Sequence, residues 1–219
     1  LHVHTEYSLL DGSCKIKELI DRAKELGMQS LAITDHGVMY GVIDFYKAAV
    51  AAGIKPIIGC EVYVAPESRF DREAGGQGDD RYYHLVLLAE NNEGYQNLMK
   101  IVSKGFVDGF YYKPRIDEEV MREYHEGIIA LSACLAGEVP RYLEKGLYED
   151  AKAAAKRHLE LFGDGNYFLE LQDHGIPMQR QVNQGIMRLS KELNIPLVAT
   201  NDCHYINAED WEAHDILLC

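Results

Sequence analysis

Apolar residues recur along the chain in two alternating rhythms. Short, near-continuous runs occupy Leu1–Thr5, Ser30–Asp35, Pro56–Val64, His84–Glu90, Gly127–Ala133, Tyr167–Leu171 and Pro196–Asn201. Runs of this length and density predict strands covered on both faces. Between them the apolar positions fall three and four apart, which predicts helices with one buried stripe. One stripe is Ile16, Leu19, Ile20, Ala23 and Leu26, with Ser13 as the expected N-cap and Gly27 as the stop. Val42, Phe45, Ala49 and Ala52 form a second, ended by Gly53, and Tyr95, Leu98, Ile101 and Val102 a third, ended by Gly105. Helices are also expected over Tyr148–Phe162, along the stripe Met178 to Leu193, and from Asn207 onward.

Strand alternating with helix predicts a parallel α/β architecture. Polar residues cluster near many strand ends, and neither a GxGxxG fingerprint nor a P-loop is present, so a closed barrel fits better than a doubly wound sheet. Two stretches read as loops. Pro66–Tyr83 contains Gly75, Gly76 and Gly78 and is expected to be mobile. Lys104–Asp117 is aromatic and basic, reading Gly109-Phe110-Tyr111-Tyr112-Lys113-Pro114-Arg115.

The chain has 219 residues, 47% of them hydrophobic and 26% charged. That balance suits one globular domain and excludes a disordered tail, a collagen-like fibre and a coiled coil. No apolar run reaches the roughly 20 residues of a membrane span. The chain begins at Leu1 without Met and reads as a fragment of something longer. A formal charge of −13 repels nucleic acid on average, so affinity for single strands is expected to be weak and salt-sensitive. Five cysteines without CxxC spacing suit a reducing cytosol rather than a disulfide scaffold, hence a cytoplasmic location.

The 9 histidines are unusual in number, and several fall at strand ends. His2 and His4 are two apart on a predicted strand, so both imidazoles share one face, a ready clamp for a metal. Asp202 and His204 repeat the spacing after the last run, with Cys203 facing away. Asp35 and His36 close the second run; His36 is the expected ligand and Asp35 the carboxylate that orients it. Asp11 lies in the loop after the first run. Glu61 interrupts an apolar strand, where a carboxylate needs a counter-charge. His84 opens a strand, and Cys134 follows one, where a thiolate suits zinc. Taken singly these residues have plain explanations, as a turn, an ion pair or a small buried hydrophobe. Their joint placement at strand ends is what argues for a metal. His125, His158, His174 and His214 fall on helices or loops and are read as structural. Lys113 and Arg115 could hold phosphate, and Tyr111 or Tyr112 could stack on a base.

The combination of His2-Val3-His4-Thr5-Glu6-Tyr7-Ser8, Leu10-Asp11-Gly12, Ile33-Thr34-Asp35-His36-Gly37, Gly59-Cys60-Glu61, His84 and Thr200-Asn201-Asp202-Cys203-His204 resembles the PHP (polymerase and histidinol phosphatase) family. The resemblance is closest to the PHP domains at the N-termini of bacterial replicative DNA polymerases. Supporting stretches are Gly53–Gly59, Asn92–Leu98 and Lys113–Asp117, and the likeness runs from end to end. Unbroken order from Glu61 to His84 argues against the polymerase variant with an exonuclease inserted in this domain.

The resemblance implies a single PHP domain over residues 1–219, folded as a distorted seven-stranded (β/α) barrel. It implies up to three divalent ions: one on His2, His4, Glu61 and Asp202; a second on Glu61, His84 and Cys134; a third on Asp11, His36 and His204. Zinc is favoured, with manganese or iron as alternatives. The implied catalytic element is a metal-bound water held by Glu61, Asp11 and Asp202, and the implied activity is 3′–5′ exonuclease proofreading. Expected partners are a DNA primer 3′ end, the remaining domains of the polymerase and other replisome subunits, with no membrane. A metal-stabilised scaffold and a free-standing histidinol-phosphatase-like enzyme are the alternatives. An amidohydrolase also opens with HxH, but the expected bridging lysine is missing after His84. One feature resists a parallel barrel: His84 begins its strand, whereas ligands are expected where strands end.

Overall fold

The computed structural model describes residues 1–72 and 81–219. The glycine-rich core of the expected mobile loop, residues 75–80, lies outside the described residues. Among the described residues, eight strands form one curled sheet: β1 Ser30–Ile33, β2 Lys55–Val64, β3 Tyr83–Ala89, β4 Phe110–Tyr111, β5 Lys113–Ile116, β6 Ile128–Leu131, β7 Tyr167–Leu171 and β8 Leu197–Ala199. β1 pairs parallel with the first half of β2, and β6, β7 and β8 run parallel to one another. β3 is antiparallel to both of its neighbours, β2 and β6.

The first five residues close the barrel. Val3 bridges Cys203 in parallel, the His4 amide donates to the Cys203 carbonyl at 2.8 Å, and the Thr34 amide donates to the Val3 carbonyl at 2.9 Å. The staves are therefore the N-terminal segment, β1, β2, β3, β6, β7 and β8, with the short β4–β5 hairpin hung on the end of β2. The reversal of β3 explains His84. An antiparallel strand starts at the mouth where the parallel strands finish, so its first residues stand level with their last.

Period 2 then sorts every strand. The outward series Cys60, Val62, Val64, Leu85, Leu87, Ile128, Ala130, Tyr167 and Leu169 joins the large apolar core under the helices. The inward series begins apolar at the floor, where Ala32, Val86, Leu88 and Leu131 pack with Ile57, Phe168 and Val198. Continuing two residues at a time toward the mouth, the same faces carry His36, Glu61, His84, Glu170 and Asp202. Sequence alternation thus makes a barrel with a greasy base and an ionisable rim.

Among the described residues, eight α-helices wrap the outside: α1 Ile16–Glu25, α2 Val42–Ala52, α3 Asn92–Val107, α4 Glu118–Tyr124, α5 Glu138–Glu144, α6 Tyr148–Phe162, α7 Pro177–Leu193 and α8 Trp211–Leu217. Phe45 of α2 is fully buried among Val3, Ile16, Ile33 and Ile54, a burial that contributes about 2–3 kcal/mol. Three expectations need correction. Ser13 does not cap α1; its hydroxyl donates to the His204 carbonyl at 2.9 Å, and the helix begins behind Lys15. Gly105 does not stop α3, which runs on to Val107. Glycine stands there because a Cβ would come within 3.1 Å of the Pro114 carbonyl oxygen. The aromatic stretch after Gly109 is a hairpin rather than a loop, and Asp117 beyond it caps α4 by accepting from the Val120 amide at 3.2 Å.

Candidate metal centre

His2, His4, Asp11, His36, Glu61, His84, Cys134, Asp202 and His204 converge at the barrel mouth. Glu61, almost wholly buried, is the hub. Its Oε1 lies 3.1 Å from His2 Nε2 and 2.9 Å from His84 Nδ1, and its Oε2 touches His36 Nδ1 and lies 3.8 Å from His4 Nε2. Asp202 Oδ1 sits 3.3 Å from His2 Nε2 and 3.2 Å from His4 Nε2. Asp11 Oδ2 lies 3.0 Å from His36 Nε2 and 3.8 Å from His204 Nε2. Cys134 Sγ is 3.8 Å from His84 Nδ1 and 3.9 Å from Glu61 Oε1. Donor atoms gather into three overlapping sets, each within 4.8 Å: His4, His36 and His204; His2, His4 and Asp202; His36, Glu61 and His84.

The backbone is bent to aim these groups. Asp202 and Ala133, the residue before Cys134, adopt left-handed φ values of 48° and 64°. Non-glycine residues in this region cost about 1–3 kcal/mol each, and such strain gathers at functional sites.

Two outer carboxylates fix the imidazoles. His2 Nδ1 donates to Glu170 Oε1 at 2.8 Å, which aims Nε2 into the cluster. Gln172 Nε2 donates to the same oxygen at 3.0 Å, and the Thr200 hydroxyl donates to it as well. His4 Nδ1 donates to Ser8 Oγ at 3.1 Å, and Ser8 Oγ donates to Asp35 Oδ1 at 2.8 Å. Asp35 also accepts from the Thr5 amide at 2.6 Å and the Thr5 hydroxyl at 2.8 Å. Asp35 is therefore no partner of the His36 ring, as its position in the sequence suggests; it anchors the Thr5–Ser8 turn and, through Ser8, His4. His214, read as structural, donates from Nε2 to the Asp11 carbonyl at 2.8 Å and braces the turn from outside.

The donor set fits a cation. His4 Nε2, Asp202 Oδ1 and Asp11 Oδ1 are buried without a hydrogen-bond partner. With its Nδ1 proton given to Ser8, His4 turns a lone pair onto the Asp202 oxygen, acceptor against acceptor, an arrangement that a shared positive charge relieves. Electrostatics point the same way. Burial outweighs the nearby carboxylates at His4 and lowers it to about 4. Burial opposes ionisation of Asp202, but His2 and His4 overcome it and lower that carboxyl to about 2. Glu61, likewise opposed by burial, is held well below the usual carboxylate range by His84, His2 and His36. Burial, reinforced by Glu61 and Asp202, pushes the Cys134 thiol well up, so a cation would have to draw off its proton.

The two phosphate candidates part company. Lys113 Nζ stands 5.3 Å from the ring centroid of Tyr63 at the mouth. Arg115 is fully buried, donating from Nη2 to the carbonyls of Asp71 at 2.7 Å and Arg69 at 3.2 Å and from Nε to that of Gly109 at 3.4 Å. Its guanidinium stitches the hairpin to the segment before residue 73, which corrects the reading of it as a phosphate ligand. Tyr111 is half-buried and Tyr112 exposed, at the hairpin tip. Sequence reasoning passed over Glu170, although a carboxylate within Tyr167-Phe168-Leu169-Glu170-Leu171 is the same signal that singled out Glu61.

Comparison with known proteins agrees with this geometry. The model of the PHP domain family matches residues 1–174. The DNA polymerase III subunit alpha of Treponema pallidum (strain Nichols) is 52% identical over 219 residues, covering 100% of this chain and 19% of that protein. Its counterpart from Thermus aquaticus is 47% identical over 220 residues, covering 100% of this chain and 18% of that protein. The chain thus spans about a fifth of the length of these relatives and aligns with their N-terminal part. Among solved structures, a protein described as a metal-dependent phosphoesterase, from Bifidobacterium adolescentis, superposes with a TM-score of 0.56 at 15% identity, covering 94% of this chain and 87% of its own. An amidohydrolase from Chromobacterium violaceum, with bound sulfate and no metal, also gives 0.56 at 15% identity, covering 99% and 95%. These two likenesses concern the fold. With the family model covering most of the chain, and ligand-type residues from the first stave to the last meeting at one mouth, this chain belongs to the PHP domain family.

Proposed function

We propose that this domain is a divalent-metal phosphodiesterase of a bacterial DNA polymerase III alpha subunit, and that it removes nucleotides from a mispaired primer 3′ end. The observation that carries the reading is the inward-facing series of imidazoles, carboxylates and one thiol, in which His4 Nε2, Asp202 Oδ1 and Asp11 Oδ1 are buried without partners. His2, His4, Glu61 and Asp202 are suited to one ion, Glu61, His84 and Cys134 to a second, and Asp11, His36 and His204 to a third. Imidazole and thiolate favour zinc, and the carboxylates also suit manganese or iron. Bound cations would polarise phosphoryl oxygens and activate water for attack on a phosphodiester.

The chain's own residues do the rest. Glu170 and Ser8 hold His2 and His4 in the tautomer that faces inward. Asp11, at the outer lip, and Asp202 are the most exposed carboxylates of the set, with side chains 28% and 16% accessible. They are the groups best placed to hold a water, and to take its proton, where substrate arrives. Neighbouring polymerase domains would deliver the DNA, since a domain of charge −13 attracts it poorly.

The test is elemental analysis of protein purified without chelator, followed by an assay for nucleotide release from the 3′ end of single-stranded DNA with zinc or manganese. Asp11→Asn and Asp202→Asn are expected to abolish release while leaving circular dichroism unchanged. If both variants cleave at the wild-type rate, the activity lies elsewhere and a metal-stabilised scaffold becomes the better description.

A further inference from the structure

One wall of the mouth carries a hydroxyl and an ammonium that the cluster does not use. Tyr63 stands two residues beyond Glu61 on β2, so period 2 turns its ring to the same inward face. It pairs in register with His84 of β3 and with Arg115 of β5, which sets it between a ligand-bearing strand and the hairpin. Its ring centroid lies 5.2 Å from that of His84, edge-on, and 6.2 Å from that of His36. Gly37, next to His36, closes on the ring as well: a Cβ there would come 3.0 Å from Tyr63 Cε2 and 2.9 Å from Pro114 Cγ. Tyr63 is 5% exposed. A ring gripped in this way is a fixed mount for its hydroxyl, as a preorganised donor requires.

Packing accounts for the ring but not for the hydroxyl. Among the described residues the Tyr63 hydroxyl meets no hydrogen-bond partner, and it is not sealed from solvent. A buried tyrosine ordinarily satisfies its hydroxyl, and phenylalanine would fill the same space. Lys113 lies against the same ring. Tyr112 alone makes the turn between Tyr111 and Lys113, at a left-handed φ of 61° that is uncommon for a bulky side chain. The turn brings the Lys113 ammonium to 5.3 Å from the Tyr63 centroid, a cation over an aromatic face. In a chain of net charge −13, no carboxylate among the described residues pairs with it. The neighbouring cations are committed elsewhere, Arg69 to Asp117 at 2.8 Å and Arg115 to backbone carbonyls.

We infer that Tyr63 and Lys113 anchor a phosphodiester strand at this mouth, so that the site selects a diester within a strand over an isolated phosphate ester. The Tyr63 hydroxyl donates to a non-bridging oxygen of the scissile phosphate, where negative charge builds during attack. The Lys113 ammonium, the more exposed of the two, pairs with the next phosphate along the strand. An isolated phosphate ester has no second phosphate and forgoes that contact. The role of Tyr63 rests on the hydrolase reading; the contact of Lys113 with the strand does not.

The test uses the complete polymerase subunit. In EDTA, where nothing is hydrolysed, it is mixed with a single-stranded oligonucleotide whose penultimate sugar carries an aldehyde on a short 2′-oxygen arm. Cyanoborohydride traps any imine formed with a lysine, and mass spectrometry maps the adduct. Capture at Lys113 is expected, competed away by unmodified single strand. With manganese restored, Lys113→Gln is expected to raise KM for a single-stranded oligonucleotide about tenfold, and far less for thymidine 5′-(4-nitrophenyl phosphate), a diester with no neighbouring phosphate. Tyr63→Phe keeps the ring and is expected to lower kcat on both substrates about 100-fold, with bound metal unchanged by elemental analysis. Capture only at other lysines, an equal KM change on both substrates, or a wild-type kcat in Tyr63→Phe would overturn the inference while leaving the hydrolase reading intact. If Lys113 is captured but metal-loaded wild type hydrolyses neither substrate, the strand contact stands, and the hydrolase reading falls together with the role of Tyr63.

Discussion

Stripping the cations from the cluster is expected to reverse the way stability responds to pH. In the metal-free protein the cluster is held by imidazolium–carboxylate pairs. Burial opposes protonation of His36, but Glu61 and Asp11 overcome it and raise the ring from 6.5 to about 10. A base whose folded pKa exceeds its unfolded one contributes stability fully below the unfolded value and loses it as pH climbs through the folded value. Each pH unit in that window removes about 1.4 kcal/mol, so going from about pH 6.5 to about pH 8.5 costs on the order of 3 kcal/mol. For a domain of this size that lowers Tm by roughly 6–12 °C. His2 is raised too, against the pull of burial, by Glu170, Asp202 and Glu61, and adds in the same sense. His4, lowered to about 4, is neutral throughout the window and adds nothing. The loaded protein behaves oppositely, because cations compete with protons for the imidazoles and for the Cys134 thiol. Thermal unfolding in EDTA and in excess zinc or manganese, across the same pH range, reads both slopes. His36→Gln is expected to flatten the slope in EDTA. A chelated protein that holds or gains stability between about pH 6.5 and about pH 8.5 would refute the ion-pair account.

Three further outcomes follow from the same geometry. Glu170→Gln is expected to weaken metal binding about 10- to 100-fold, because the His2 ring loses its charged acceptor; competition with a chromophoric chelator measures this, and unchanged affinity would remove Glu170 from the site. Gly12→Ala would set a Cβ 2.0 Å from the Thr5 carbonyl oxygen, forcing open the turn that presents Asp11; about 100-fold lower kcat is expected with a loss of about 1–3 kcal/mol in stability, and a wild-type rate would show that Asp11 does not depend on that turn. Arg115→Met strands the carbonyls it serves and is expected to cost about 3 kcal/mol in denaturant unfolding; a neutral result would mean that the hairpin is held by other contacts.

Much of the barrel can be read from residues, because fully covered strands are dense in apolar side chains whatever their neighbours. Lys55–Val64 and Tyr167–Leu171 announce themselves in this way. Strand direction does not: nothing within His84–Glu90 tells it to run against Pro56–Val64, since that is settled by pairing between the two strands. The Thr5–Asp11 path is equally hidden, so Asp35 looks like the neighbour of His36 when its oxygens reach across to Thr5 and Ser8. Pro114 and Arg115 read as loop chemistry, and pairing with Phe110 of β4 and Tyr63 of β2 makes a strand of them. His2, His4, Glu61, Asp202 and His204 could be singled out because ligand-type residues stand where greasy ones are the default. Glu170 carries the same mark, a carboxylate inside an apolar run.

The seam between the first residues and Cys203 has a consequence for synthesis. His2 leaves the ribosome well ahead of its charged companions Glu170 and Asp202, with Glu170 following 168 positions later. At about 5–20 residues per second, a nascent domain waits on the order of 10–40 s before its last stave can dock. Until then His2-Val3-His4 is an exposed chelator without its proper company, open to whatever ion is most abundant. Loading with the right metal is therefore a post-completion event, governed by the ion supply that the finished barrel meets rather than by what its opening residues first encounter.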